Sequence, residues 1–141
     1  MNTIKFHNKL SINELKNRKK LKEFIPKLCK AEGKKIDSIS FIFCSDADLL
    51  EINREFLQHD TFTDIISFDY SEQPGIIMGE IYISVDRVRD NASDIGTSFQ
   101  EEIHRVIFHG VLHFCGYKDK LNEEVLKMRA KEDFYLRKYL G

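Results

Sequence analysis

Between Ser98 and Cys115 the chain reads SFQEEIHRVIFHGVLHFC, and this stretch restricts the possible folds more than any other. Phe99, Ile103, Val106, Ile107, Gly110 and Phe114 recur at helical spacing as one apolar stripe, while Phe108, Leu112 and Cys115 make the far side apolar as well. A helix of that kind is buried nearly all round, so the rest of the chain has to supply elements that wrap it. Ser98 and Glu101 form a capping-box pattern at its start. Two histidines, His109 and His113, sit four residues apart on one edge of this core helix. Gly116 follows within a turn, where a left-handed residue ends a helix, and Asp119 comes three residues later.

The wrapping elements are readable in outline. Residues 4 to 7 (IKFH) form a strand pattern, and Ser11 with Glu14 reads as a capping box opening a helix to about Glu32, where Gly33 ends it. Pro26 predicts a kink or break in that helix. Residues 36 to 43 alternate and then turn apolar, a strand; Ser45 with Asp46 and Asp48 caps a helix carrying LLEINREFL; His59 to Thr61 is a loop. Residues 64 to 70 and 80 to 85 are strands on either side of a turn at Pro74-Gly75 and pair as neighbours. A short helix from Asp86 to Ile95 follows, and Asn122 caps a last helix to about Tyr139, with Val125, Met128, Phe134 and Leu136 as its apolar face. The order β-α-β-α-β-β-α-α-α predicts an α+β (mixed α/β) fold: a small mixed sheet of about four strands with helices packed on it and the histidine pair on a buried helix. At 141 residues, 42% hydrophobic, residues 1–141 are expected to form one domain.

Composition narrows the function classes. Lys+Arg total 22 against 23 Asp+Glu, so any polyanion would have to be held by a local patch. The basic run KNRKKLK at 16 to 22 reads first as a solvated helix face. Three cysteines without a CxxC pair predict reduced thiols and a cytoplasmic protein. No apolar run approaches the ~20 residues of a membrane span, and the N-terminal residues carry no cleavable leader pattern.

Written out, H-x-x-x-H-x-x-G-x-x-D places two imidazoles on one helical face and returns a carboxylate to them after a glycine turn. A lone H-x-x-x-H is common by chance; the glycine turn and third donor set this stretch apart. Three protein ligands leave a position open for water, the arrangement of catalytic zinc, although two histidines and a carboxylate also suit iron, nickel or manganese. Position 110 is Gly, so the glutamate of the H-E-x-x-H peptidases is missing. Cys115, two residues past His113, projects about 200° away and belongs to the core. Asp64 and Glu80 are candidates for orienting water or ligands, with a loop or cap role as the alternative for each. His59 and His104 read as surface or hydrogen-bonded residues. Phe62, Phe68 and Tyr70 read as packing aromatics, with base stacking as the alternative.

The segment HGVLHFCGYKD (109 to 119) resembles the signature H-G-x-L-H-L-x-G-Y-D-H of the YbeY endoribonucleases, or rRNA maturation factors. TDIISFDY (63 to 70) is similar to that family's T-D-V-L-S-F-P segment, and GEIYIS (79 to 84) to its G-D-I-x-I-S strand. The resemblance implies metal-dependent endonucleolytic cleavage of single-stranded RNA, in maturation of ribosomal RNA, especially the 3' end of the small-subunit RNA, and in ribosome quality control. It implies one zinc ion on His109, His113 and Asp119, the last standing where the family has a third histidine. Ribosomal RNA, and with it ribosomal proteins or assembly factors, would be the partners; neither membrane nor DNA is expected. The family's arginine on the pattern L-N-x-x-Y-R is replaced by Leu57, which makes Arg54, on the same helical face, the candidate catalytic guanidinium beside Asp64. Two other classes stay open: a zinc hydrolase of another substrate, and a non-catalytic ribosome-assembly factor with a structural metal.

Overall fold

The computed structural model describes residues 3 to 8, 15 to 57 and 63 to 141. In chain order they form β1 (Thr3–Asn8), α1 (Arg18–Ala31), β2 (Lys35–Cys44), α2 (Asp46–Leu57), β3 (Ile65–Asp69), β4 (Ile76–Ser84), α3 (Val85–Ile95), α4 (Phe99–Phe114) and α5 (Asn122–Leu140). This is the expected mixed α+β architecture with a four-stranded sheet. Strand order is β1-β2-β4-β3, with β1/β2 and β2/β4 parallel and β3/β4 antiparallel.

Strand alternation sorts the side chains onto two faces. Ile39, Phe41 and Phe43 of β2 join Ile77, Ile81 and Ile83 of β4 in the main core, against Leu21, Ile25 and Leu28 of α1 and Ile103, Ile107 and Val111 of α4. Cys44, Ile66, Phe68 and Tyr82 point to the other face, where Leu49 and Ile52 of α2 cover them. The helix that reads as apolar all round is buried as expected, enclosed by the sheet, α1, α3 and α5.

Several boundaries depart from the sequence reading. α1 starts at Arg18, capped by Asn17 in the left-handed region (φ 57), whose side chain accepts from the Lys20 amide at 3.3 Å. The predicted start at Ser11 and Glu14, and the His59 loop and Phe62, lie outside the described residues. Pro26 does not break α1, because Lys22, whose carbonyl loses its donor, is on the exposed side where water can reach it. β4 begins four residues earlier than the alternation predicts, because Gly79 interrupts the apolar pattern. A Cβ there would stand 2.5 Å from Phe114 Cζ and 2.7 Å from the Phe68 carbonyl oxygen, so only glycine lets α4 and β3 close onto the strand. Gly79→Ala is therefore expected to cost about 1–3 kcal/mol in denaturant unfolding, since one of the opposing atoms is backbone.

On α5 the buried face is Met128, Glu132, Tyr135, Leu136 and Tyr139, while Val125 and Phe134 are exposed. The cap is also displaced: Glu124 reaches back to the Leu121 amide at 2.9 Å, and Asn122 is already helical. Tyr139 packs on buried His104, ring centroids 5.0 Å apart. His104 Nδ1 donates to the Gln100 carbonyl at 2.6 Å, and its Nε2 has no partner among the described residues. Burial holds its pKa below the ordinary value, against the opposing hydrogen bond to Gln100. The unfolded chain then binds more protons, so stability is lost as pH falls below about 6.5, by at most about 1.4 kcal/mol per pH unit. Unfolding of wild type and His104→Phe at pH 7.5 and 5.5 checks this: the wild type is expected to lose more stability than the variant.

Candidate metal centre

His109 and His113 occupy successive turns of α4 at its exposed edge, with ring centroids 4.6 Å apart. The helix ends as the glycine predicts: the Gly116 amide reaches the His113 carbonyl at 3.0 Å and the Tyr117 amide reaches Leu112 at 3.1 Å, with Gly116 at φ 105. The returning loop is then pinned. Tyr117 donates its hydroxyl to Glu32 at the end of α1 at 2.7 Å, and the same carboxylate accepts from Tyr135 and from Lys131 at 3.2 Å. Burial raises the Glu32 pKa, but these three donors outweigh it and hold it below the ordinary value. With both ends of the loop fixed, Asp119 is carried back to the histidines.

His113 Nε2 lies 3.1 Å from His109 Nε2 and 3.3 Å from Asp119 Oδ2, and His109 Nε2 lies 3.2 Å from the same oxygen. Ligands 2.0–2.1 Å from a tetrahedral ion are about 3.3 Å from one another, so the three atoms are spaced as zinc ligands are. They are also chemically matched to a cation: two imidazole nitrogens and a carboxylate converge on one point.

The residue that the sequence reading missed is Glu132. It is 5% exposed, accepts from His109 Nδ1 at 2.6 Å, and takes Arg105 through its other oxygen at 3.0 Å. A hydrogen bond at Nδ1 fixes the ring and leaves Nε2 as the free lone pair facing Asp119 and His113. Burial alone would lower the His109 pKa, yet Glu132, then Asp119 and Asp64, hold it above the ordinary value. The available signal was a carboxylate at position 132, midway between Met128 and Leu136 on the apolar face of α5.

These groups open on a cavity of about 420 Å³. Asp64, just before β3, lines it; burial pushes its carboxyl above the ordinary range, opposed by the His109 charge. Arg105, Arg129 and Glu102 line it as well. Arg54 does not: it is exposed on α2, the helix that covers the opposite sheet face, as is Leu57. Glu80 accepts from the Tyr70 hydroxyl at 3.0 Å on that same far face. Cys115 packs against the core, and its thiol together with burial holds the neighbouring Cys29 thiol far above its ordinary pKa. The basic run is partly engaged within the fold, with Leu21 buried and Lys20 donating to the Tyr139 carbonyl at 2.6 Å. No helix among the described residues is long and apolar enough to cross a membrane.

Residues 3–140 match the family model described as Endoribonuclease YbeY. Among curated relatives of that name, the chain is 56% identical over 103 residues to one from Flavobacterium psychrophilum, covering 73% of each. It is 47% identical over 131 residues to one from Cytophaga hutchinsonii, covering 93% of this chain and 92% of the relative. The solution structure of TM1509 from Thermotoga maritima superposes with a TM-score of 0.70 at 27% identity, over 100% of this chain and 90% of the other. With the signature segments, the fold and the full-length family match in agreement, the chain belongs to the YbeY endoribonuclease family.

Proposed function

We propose that this protein is a zinc-dependent endoribonuclease of the cytoplasm that cuts single-stranded RNA during ribosomal RNA maturation, at the 3' end of the small-subunit RNA, and in ribosome quality control. The observation that carries the reading is the convergence of His109, His113 and Asp119 at 3.1 to 3.3 Å within one cavity of a YbeY-family chain. His109, His113 and Asp119 would hold a divalent ion, which would supply Lewis acidity toward a bound water and a phosphoryl oxygen.

The chain's own groups do the rest. Glu132 orients His109, and the Gly116 turn with the Tyr117 anchor brings up Asp119. Asp64 is assigned the proton from the attacking water, because its carboxyl lines the same cavity as the three ligand side chains without being one of them. Arg54 is assigned to a phosphate of the strand outside the cavity. Ribosomal RNA is the substrate, and ribosomal proteins or assembly factors are the partners that would deliver it.

Zinc-loaded protein incubated with single-stranded RNA is expected to cleave it, to stop with chelator and to resume with added zinc. Asp64→Asn should abolish most turnover, and Arg54→Ala should reduce it with metal content intact. Metal-loaded protein that binds but does not cut RNA would instead select the non-catalytic assembly factor, a reading that the exposed Leu57 in the arginine's position favours.

A further inference from the structure

The cavity has a second polar end. Glu102 lies seven residues before His109 on α4, two helical turns, or about 10 Å along the axis. It lines the cavity, is 6% exposed, and its side chain makes no hydrogen bond or ion pair among the described residues. Its carboxylate lines the cavity with no donor from the described residues, so a ligand that brings N–H groups there would be held by a strong acceptor. Its charged neighbours are Arg105, Asp64, Arg129 and Glu132. Arg105 is committed, with one terminal nitrogen on Glu132 at 3.0 Å and the other on Asp133 at 2.7 Å. Arg129 is not: its side chain is 57% exposed, and its ion pair to Glu132 is 3.7 Å long. This end of the cavity therefore offers a strong acceptor beside a strong donor, two helical turns along α4 from His109.

We propose that it is a base-recognition subsite selecting guanine, with Glu102 accepting from N1–H and the N2 amino group and Arg129 donating to O6. Single-stranded RNA presents its Watson–Crick edges for such contacts. Only guanine sets two adjacent N–H donors next to a carbonyl; adenine and cytosine offer one amino group, and uracil flanks its single N–H with two carbonyls that a carboxylate repels. The inference rests on the ribonuclease reading and adds the sequence preference to it.

The test uses zinc-loaded full-length protein and oligouridine strands carrying a single guanosine, inosine, adenosine or cytidine, reading cleavage by kcat/KM and binding by fluorescence anisotropy. Wild type is expected to favour the guanosine strand over plain oligouridine by about 10-fold, with inosine, which lacks the N2 amino group, in between. Glu102→Gln is expected to compress that preference to under about 2-fold at unchanged zinc affinity. Arg129→Ala, a change at an exposed position, is expected to weaken guanosine and inosine strands alike. Equal handling of all strands by wild type, or a preference that survives Glu102→Gln, overturns the subsite. Wild type that neither binds nor cuts any strand overturns it together with the ribonuclease reading, whereas cutting without base preference removes the subsite alone.

Discussion

Replacing His113 with alanine is expected to lower zinc affinity by more than about 100-fold while leaving the fold intact. Loss of a group that merely orients a metal ligand costs about 10–100-fold, so loss of a ligand itself must exceed that range. The fold should survive because His113 sits at the helix edge with a side chain 29% exposed, and alanine is the best helix former. Asp119→Ala should behave similarly, since its side chain is 37% exposed and the loop is held by Tyr117 rather than by the aspartate. Competition against a chromophoric chelator gives the affinity, and circular dichroism confirms the fold. A change under about 3-fold, well short of the cost of losing even a ligand's supporting partner, would contradict the assignment.

Glu132→Ala is expected to have two effects that can be read separately. Removing one member of a buried pair costs about 3–5 kcal/mol, and the lower end applies because Arg105 keeps Asp133. Zinc affinity should also fall, by about 10–100-fold, because His109 loses the acceptor that fixes its ring and tautomer. Asp133→Ala is the control: it removes the other Arg105 contact without touching His109, so stability should drop slightly and zinc affinity should hold. Chelator competition and denaturant unfolding on the three proteins separate the orienting role from simple packing.

The parts of this molecule that were legible in the sequence are those set by local rules. The order of strands and helices, the burial of α4 and the glycine turn that returns Asp119 all follow from periodicity and backbone preference within about twenty residues. Glu132 was hidden because its partner His109 is 23 residues away and on another helix, so no spacing rule links them. Val125 and Phe134 read as core for the same reason: the face of α5 that packs is the one carrying Met128, Glu132, Tyr135, Leu136 and Tyr139, and which face that is depends on helices far away in sequence. Glu102 was equally hidden, as a charged residue in the first turn of a helix reads as a complement to the helix dipole. Gly79 misled in the opposite direction, lowering the strand signal where close approach of Phe114 requires a glycine.

Zinc K-edge absorption on protein loaded with one equivalent of the ion is the most direct measurement of the metal centre. The expected shell has two nitrogens at about 2.0–2.1 Å, one carboxylate oxygen at about 2.0–2.2 Å and light-atom solvent, with no sulfur. Failure to take up a stoichiometric ion, or a scatterer at the zinc–sulfur distance of about 2.3 Å, would contradict a centre built from His109, His113 and Asp119.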